Sequence, residues 1–119
     1  MKASEIIGVA YRQTGQDPNK YLAGLTKLVS IKDAQILQED DTVFVAIRLG
    51  NNQAQVDFFT QDSPLKVNSS VMALIKKLKA SGISTIYGTQ NSQLPQILQS
   101  LKINVAPSDN PNYQWVAQL

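Results

Sequence analysis

Apolar residues at helical spacing open the chain. Ser4 is placed to cap a first helix that carries Ile6, Ile7, Ala10 and Tyr11 inward, and Gly15 closes it. Asp17-Pro18 supplies a second start, with proline at the first helical position. Tyr21, Leu22, Leu25, Leu28 and Val29 then follow at i, i+1, i+4, i+7 and i+8, a clear amphipathic stripe. From Ile31 the period shortens to two. Residues 34–39 read as a short strand that ends in a turn at Asp40-Asp41. In residues 42–49, Val43, Val45, Ile47 and Leu49 share one face while Phe44 and Ala46 share the other, which predicts a strand covered on both sides. Gly50-Asn51-Asn52 is a hairpin turn, and residues 53–60 return with Ala54, Val56 and Phe58 on one face and Gln55, Asp57 and Phe59 on the other. The middle of the sheet is therefore antiparallel.

Residues 61–68 contain Asp62-Ser63-Pro64 and read as a loop, after which Asn68 or Ser69 caps a helix with Val71, Leu74, Ile75 and Leu78 inward. Lys76, Lys77 and Lys79 fall on the outer side as a solvated face that also suits the negative end of the helix dipole. Ser81-Gly82 ends this helix. A short β run at 83–88, a helix begun by Asn91 or Ser92 with Leu94, Ile97, Leu98 and Leu101 inward, and a strand at 103–106 form a unit whose length suggests a right-handed parallel crossover. After a polar turn from Pro107 to Pro111, residues 113–119 finish the sheet as a last antiparallel strand. Tyr113 and Trp115, two apart, would share a face there as core or edge cover, and Tyr11 and Tyr21 read as half-buried packing residues. The expected fold is one α/β (α+β) domain over residues 1–119, with the order ααβββαβαββ.

Composition removes several kinds of chemistry. The 119 residues include neither Cys nor His, so a Cys/His zinc site, a disulfide framework, a Cys nucleophile and a Ser-His-Asp triad are excluded. Asp40-Asp41 lacks the alternating ligands and central glycine of a calcium loop, and no metal is expected. A net charge of +2 is too slight for a domain built to grip phosphate backbone, so nucleic acid is not an expected partner. No stretch approaches the roughly 18 apolar residues of a membrane span, and the first residues lack a signal-peptide core. The expectation is a cytoplasmic or virion-associated protein that is not secreted. Asn and Gln number 21, one more than the charged residues at 20, so the surface is rich in amides.

The element order, a hairpin meander feeding a helix and then a crossover, resembles the GNAT superfamily of acetyl-CoA-dependent N-acetyltransferases without the strand that normally opens it. The stretch 71–103 is similar in detail: an apolar helix, the Ser81-Gly82 break, a strand, then Asn91, Ile97-Leu98 and Leu101-Lys102-Ile103 where the family shows Asn, Leu-Tyr and Leu-Gly-Phe. The resemblance implies a mixed sheet and a pyrophosphate loop of the form Arg/Gln-x-x-Gly-x-Gly/Ala at the start of the helix after the meander, where amide groups hold anionic oxygens.

In this sequence that loop corresponds to Lys66-Val67-Asn68-Ser69-Ser70-Val71. Lys66 stands in for the basic residue, Ser69 replaces a glycine, and Val71 replaces the small last position, where a β-branched side chain would crowd a diphosphate. Should acetyl-CoA bind, Lys66, Asn68, Ser69, Ser70 and Val71 are the residues placed to hold it, although the commoner role of serines such as Ser69 and Ser70 at such a helix start is capping. Leu98 falls where many members carry a Tyr that protonates the departing thiolate, and leucine transfers no proton. The catalytic base implied by the resemblance is a carboxylate on the meander strands. Asp57, mid-strand among Val56, Phe58 and Phe59, is the better candidate and Glu39 the weaker.

The expected function is accordingly a non-catalytic acetyltransferase-like domain, with no cofactor, serving as a structural or protein-interaction component. Its size and degeneration are similar to small GNAT-like proteins of tailed phages, which implies a virion-associated protein. A protein partner or homo-oligomer is expected, with the absent first strand leaving a sheet edge for a second copy. The alternative is an active acetyl-CoA-dependent N-acetyltransferase with an atypical cofactor loop and Asp57 as its base.

Overall fold

The computed structural model describes every residue except Lys32, Gln90, Asn91 and Ser92. Its elements run α1 (Ala3–Gln13), α2 (Asn19–Ser30), β1 (Ala34–Glu39), β2 (Thr42–Gly50), β3 (Gln53–Thr60), α3 (Pro64–Ala80), β4 (Thr85–Gly88), α4 (Leu94–Ser100), β5 (Asn104–Pro107) and β6 (Trp115–Gln118). This is the order expected from the sequence, and the fold is mixed α/β. The strands form one six-stranded sheet in the order β1-β2-β3-β4-β6-β5.

The meander β1-β2-β3 is antiparallel throughout. Its second turn works because Gly50, Asn51 and Asn52 all take positive φ, which Gly and Asn tolerate, and the ladder shifts register between Arg48 and Gly50. β3 then pairs with β4 in parallel, but only through Gln53, Ala54 and Gln55. Beyond Gln55 the rest of β3 has no ladder with β4. β4 and β5 run parallel to each other, as the strand-helix-strand unit implied, yet they are not neighbours: β6 slots between them, antiparallel to both.

Several sequence readings change. Lys2 is the N-cap of α1, so Ser4 lies inside that helix, and Pro18 is the N-cap of α2 instead of its first helical residue. The third helix begins at Pro64 with Ser63 as its N-cap, so Asn68 and Ser69 do not start it. Proline fits the first helical position because its missing N–H would be unpaired there in any case, and Ser-Pro here is a helix start where it had read as a loop. Tyr113 lies before β6 and outside its alternation, and it does not share a face with Trp115. The Asn91 or Ser92 helix start lies outside the described residues, and α4 itself runs from Leu94.

Helices cover both sheet faces, and the alternation of β2 and β3 divides their side chains between two cores. Phe44, Ala46, Ala54, Val56 and Phe58 meet Val71, Leu74 and Leu78 of α3 and Leu94 and Leu98 of α4, together with Trp115. Val43, Val45 and Phe59 meet Ile6 and Ile7 of α1 and Leu25 of α2 on the opposite face. Each fully buried large side chain contributes roughly 1.5–3 kcal/mol relative to exposure. The edge strand β1 is guarded: Lys77 Nζ, from α3, donates to the Gln38 carbonyl at 3.0 Å and pairs with Glu39 at 3.1 Å. Ile36 of the same strand stays 41% exposed.

Candidate functional site

Asp57 sits mid-way along β3 on the α1/α2 side of the sheet and is 5% exposed. Its alternation with Gln55 and Phe59 places all three on that face. The Tyr21 hydroxyl of α2 donates to Asp57 Oδ2 at 2.7 Å, and Gln55 Nε2 donates to Oδ1 at 3.2 Å. Around this carboxylate the rings of Tyr11, Tyr21 and Phe59 form a cluster with centroid separations of 5.1, 6.0 and 5.7 Å. Burial, and then the Asp57 charge, push the Tyr21 hydroxyl well above the usual tyrosine range; the same two causes raise Tyr11. Tyr21 therefore stays a protonated donor to Asp57. Glu39 is remote from this group, tied to Lys77 at the sheet edge.

A second polar group lies where the meander hands over to α3. Asp62 immediately precedes the N-cap Ser63. Its Oδ2 accepts from the hydroxyls of Thr42 at 2.6 Å and Ser70 at 2.9 Å, and its Oδ1 from the Asp41 amide at 3.3 Å. Thr42 and Thr60 hydroxyls lie 2.7 Å apart beside it. Burial alone would raise the Asp62 carboxyl, but the hydrogen bonds from Thr42, Ser70 and Asp41, with Lys66 nearby, more than offset it and hold the group below its ordinary value of 3.8. The site is a carboxylate kept ionised beside the positive end of a helix.

The residues of the expected cofactor loop fall inside α3 instead of ahead of it. Lys66 and Val67 amides already donate to the Ser63 carbonyl at 2.9 and 3.0 Å. Asn68 and Ser69 are exposed on the second turn, and the Ser69 hydroxyl bonds back to the Lys66 carbonyl at 3.0 Å. The Ser70 hydroxyl is committed to Asp62 and Val71 is fully buried in the α3/α4 core. Lys66 stands exposed, 3.7 Å from Asp40. Leu98 is likewise fully buried. Neither Asp62 nor Tyr21 was singled out from the sequence as a partner in a polar site. The available signals were Ser63-Pro64 as a helix start, which makes Asp62 the residue at the helix mouth, and Tyr21 on the inward stripe of α2.

Among the described residues, no group of three or more Asp or Glu is placed to hold a metal, and no helix is long and apolar enough to cross a membrane.

Compared with known proteins, the fold is that of the GNAT acetyltransferases. The PaiA N-acetyltransferase from Thermoplasma acidophilum, solved in complex with coenzyme A, matches with a TM-score of 0.58 at 16% identity, over 85% of this chain and 70% of that one. A domain from Methanocaldococcus jannaschii gives a TM-score of 0.56 at 14% identity, over 87% and 77%. A Bacillus subtilis acetyltransferase in complex with CoA gives 0.52 at 16% identity, over 87% and 86%. No protein-family model matches the sequence, and no curated protein matches it. At these identities the likeness is one of fold.

Proposed function

We propose that this chain is a non-catalytic domain of acetyltransferase fold that serves as a structural or protein-interaction component. The observation that carries this reading is the start of α3. Family resemblance puts a diphosphate at the amides of that helix end, and here Pro64 has no N–H, the Lys66 and Val67 amides are spent on Ser63, and the ionised Asp62 stands at the mouth. An anion brought there meets a like charge and finds few free donors. Val71 and Leu98, at the other two positions the chemistry requires, are core residues with no group to offer a substrate.

A second reading, an acetyl-CoA-dependent N-acetyltransferase with Asp57 as base, draws support from the likeness to two structures solved with CoA and from a buried carboxylate on the meander. One titration separates the two. Binding to the native state raises stability by roughly RT ln(1 + [L]/Kd), so millimolar acetyl-CoA on a site of about 10 µM dissociation constant adds about 2.7 kcal/mol. The expected result is an unchanged melting temperature and no heat of binding. A ligand-dependent rise would overturn the non-catalytic reading and make Asp57→Asn the next variant to assay for acetyl transfer. The virion setting is checked separately, by whether antibody against this chain labels purified particles.

A further inference from the structure

β1 is one of the two edges of the sheet, so alternate backbone groups along it lack a strand partner. The Arg48 amide donates to the Asp33 carbonyl at 2.8 Å, which fixes the phase: Asp33, Gln35, Leu37 and Glu39 turn their N–H and C=O groups toward β2. Those of Ala34, Ile36 and Gln38 face away from the sheet. Lys77 Nζ takes the Gln38 carbonyl, as that phase requires. Ala34 is buried and Ile36 is exposed, so among the described residues of this edge Ile36 is the open rung between two covered ones.

The surroundings of that rung are apolar. Val29 at 40% exposure, Ile31 at 64% and Ile36 at 41% fall together where α2 ends and β1 begins. Val29 and Ile36 also line the hollow of about 270 Å³ between α1, α2 and β1, whose walls include Ile7, Leu22 and Leu25. Single exposed hydrophobic side chains are ordinary, but a group of them beside an apolar hollow marks a contact surface.

A lone open rung is a poor template for an extended peptide, since strand addition draws its strength from several consecutive rungs. A second copy of this chain fits it better. Where two β1 strands meet antiparallel about a two-fold axis at Ile36, the amide of each Ile36 donates to the carbonyl of the other, so one rung per copy closes a reciprocal pair of hydrogen bonds. The two Ile36 side chains then lie together on the α1/α2 face, beside both hollows. On the α3 face the same register sets Asp33 of one copy opposite Glu39 of the other, next to the Lys77 that lies 3.1 Å from that Glu39. Asp33 is exposed and belongs to none of the ion pairs among the described residues, which involve Asp41, Asp40 and Glu39. The two-fold register supplies its cation.

We infer that this chain forms a two-fold dimer through β1, with Ile36 on the axis and Asp33 of each copy facing Lys77 of the other, joining two six-stranded sheets edge to edge. The inference deepens the protein-interaction reading proposed above and rests on it, since it names the partner as a second copy.

The test is sedimentation equilibrium of the full chain from about 10 to about 500 µM, the range in which a small interface dissociates. The mass should rise from 13.1 kDa toward twice that value. Ile36→Lys should stay monomeric with an unchanged melt. Asp33→Lys, which sets a lysine against Lys77 of the other copy, should weaken association roughly tenfold, the equivalent of about 1.4 kcal/mol. The chain has no cysteine, so single-cysteine variants report the axis. Under mild oxidation Ile36→Cys should cross-link, because facing residues of a hydrogen-bonded antiparallel pair lie about 5.5 Å apart at Cα, within disulfide reach. Asn104→Cys, on the opposite edge strand β5, should not. The inference is overturned if the parent stays monomeric at about 500 µM, if either lysine variant associates like the parent, or if Asn104→Cys cross-links as readily as Ile36→Cys. Should Ile36→Lys fail to fold, Ile36→Cys and Asp33→Lys decide the matter. Repeating the sedimentation with acetyl-CoA separates the two readings: a monomer that ignores acetyl-CoA overturns this inference alone, whereas a dimer that binds it supports the inference and overturns the non-catalytic reading.

Discussion

The two faces of the sheet are assembled from different material. On the α3/α4 face, seventeen buried residues among those described interlock into one apolar core, from Phe44 and Val56 to Leu74, Leu98 and Trp115. On the α1/α2 face the corresponding core has seven, and it borders the Asp57–Tyr21 hydrogen bond. Leu25 is the one buried residue of α2. That helix is flanked by two apolar hollows of about 270 and 210 Å³, the first between α1, α2 and Ile36 of β1, the second beside Tyr21 and Ile47. The buried carboxylate Asp57 lies on the side where the apolar core is thinner, whereas the buried Thr42 and Ser70 serve Asp62 on the α3 side. The contrast teaches that stability rests on one side of the sheet, leaving the other free to carry a buried carboxylate and exposed ring edges.

The largest expected effect comes from breaking the tighter side. Phe44→Ala, at a fully buried position, should cost about 3–5 kcal/mol, whereas Leu25→Ala, next to a hollow into which neighbours can settle, should cost about 2 kcal/mol. Urea unfolding of the two variants compares the faces directly; equal losses would erase the distinction. Gly88→Ala comes next. A Cβ there would lie 2.1 Å from the Trp115 indole, so the ring must move, at about 1–3 kcal/mol and with a changed tryptophan emission. Among the described residues the buried Trp115 indole nitrogen has no hydrogen-bond partner, which adds to what this corner demands.

Polar substitutions should matter less. Asp62→Ala leaves the hydroxyls of Thr42 and Ser70 without their acceptor and should cost about 1–3 kcal/mol. Because its folded value lies below the ordinary 3.8, Asp62 stabilises the fold fully above about pH 4, and this contribution is lost as acid protonates the folded carboxylate. The advantage of the parent over Asp62→Asn should therefore be present at neutral pH and shrink below pH 4, a trend that acid titrations followed by circular dichroism would check. The smallest effect belongs to Tyr21→Phe, about 1 kcal/mol for one hydrogen bond. In a spectrophotometric titration Tyr21 should ionise above the ordinary tyrosine value of 10.0, and Asp57→Asn should bring that ionisation to lower pH by removing the charge opposing it.

Much of this architecture was legible in residue order. The meander strands 34–39 and 53–60 were bounded correctly because period-two alternation and positive-φ turn residues are local signals. The start of α3 was displaced because Ser63-Pro64 serves equally as a turn and as a helix opening, and only the tertiary setting, with Ser70 reaching back to Asp62, separates them. The place of β6 between β4 and β5 has no local signature, since pairing order depends on contacts far apart in sequence. At the candidate site, Asp57 was identified from its apolar neighbours. Its partnership with Tyr21, 36 positions away, and the ring cluster around it became visible only in the folded chain.

That inserted strand also bears on how the chain reaches its folded state. β5 joins the sheet only through β6, and β6 joins β4 by pairing Gly88 with Trp115, so neither β5 nor β6 can dock until a long intervening segment has closed. Loop-closure entropy precedes the reward from such non-local pairing. The meander, whose turns are two residues long, has no such delay. Folding should thus proceed in two stages of unequal speed, with the meander and α3 nucleating and the β4-β6-β5 half completing the sheet at the slower rate.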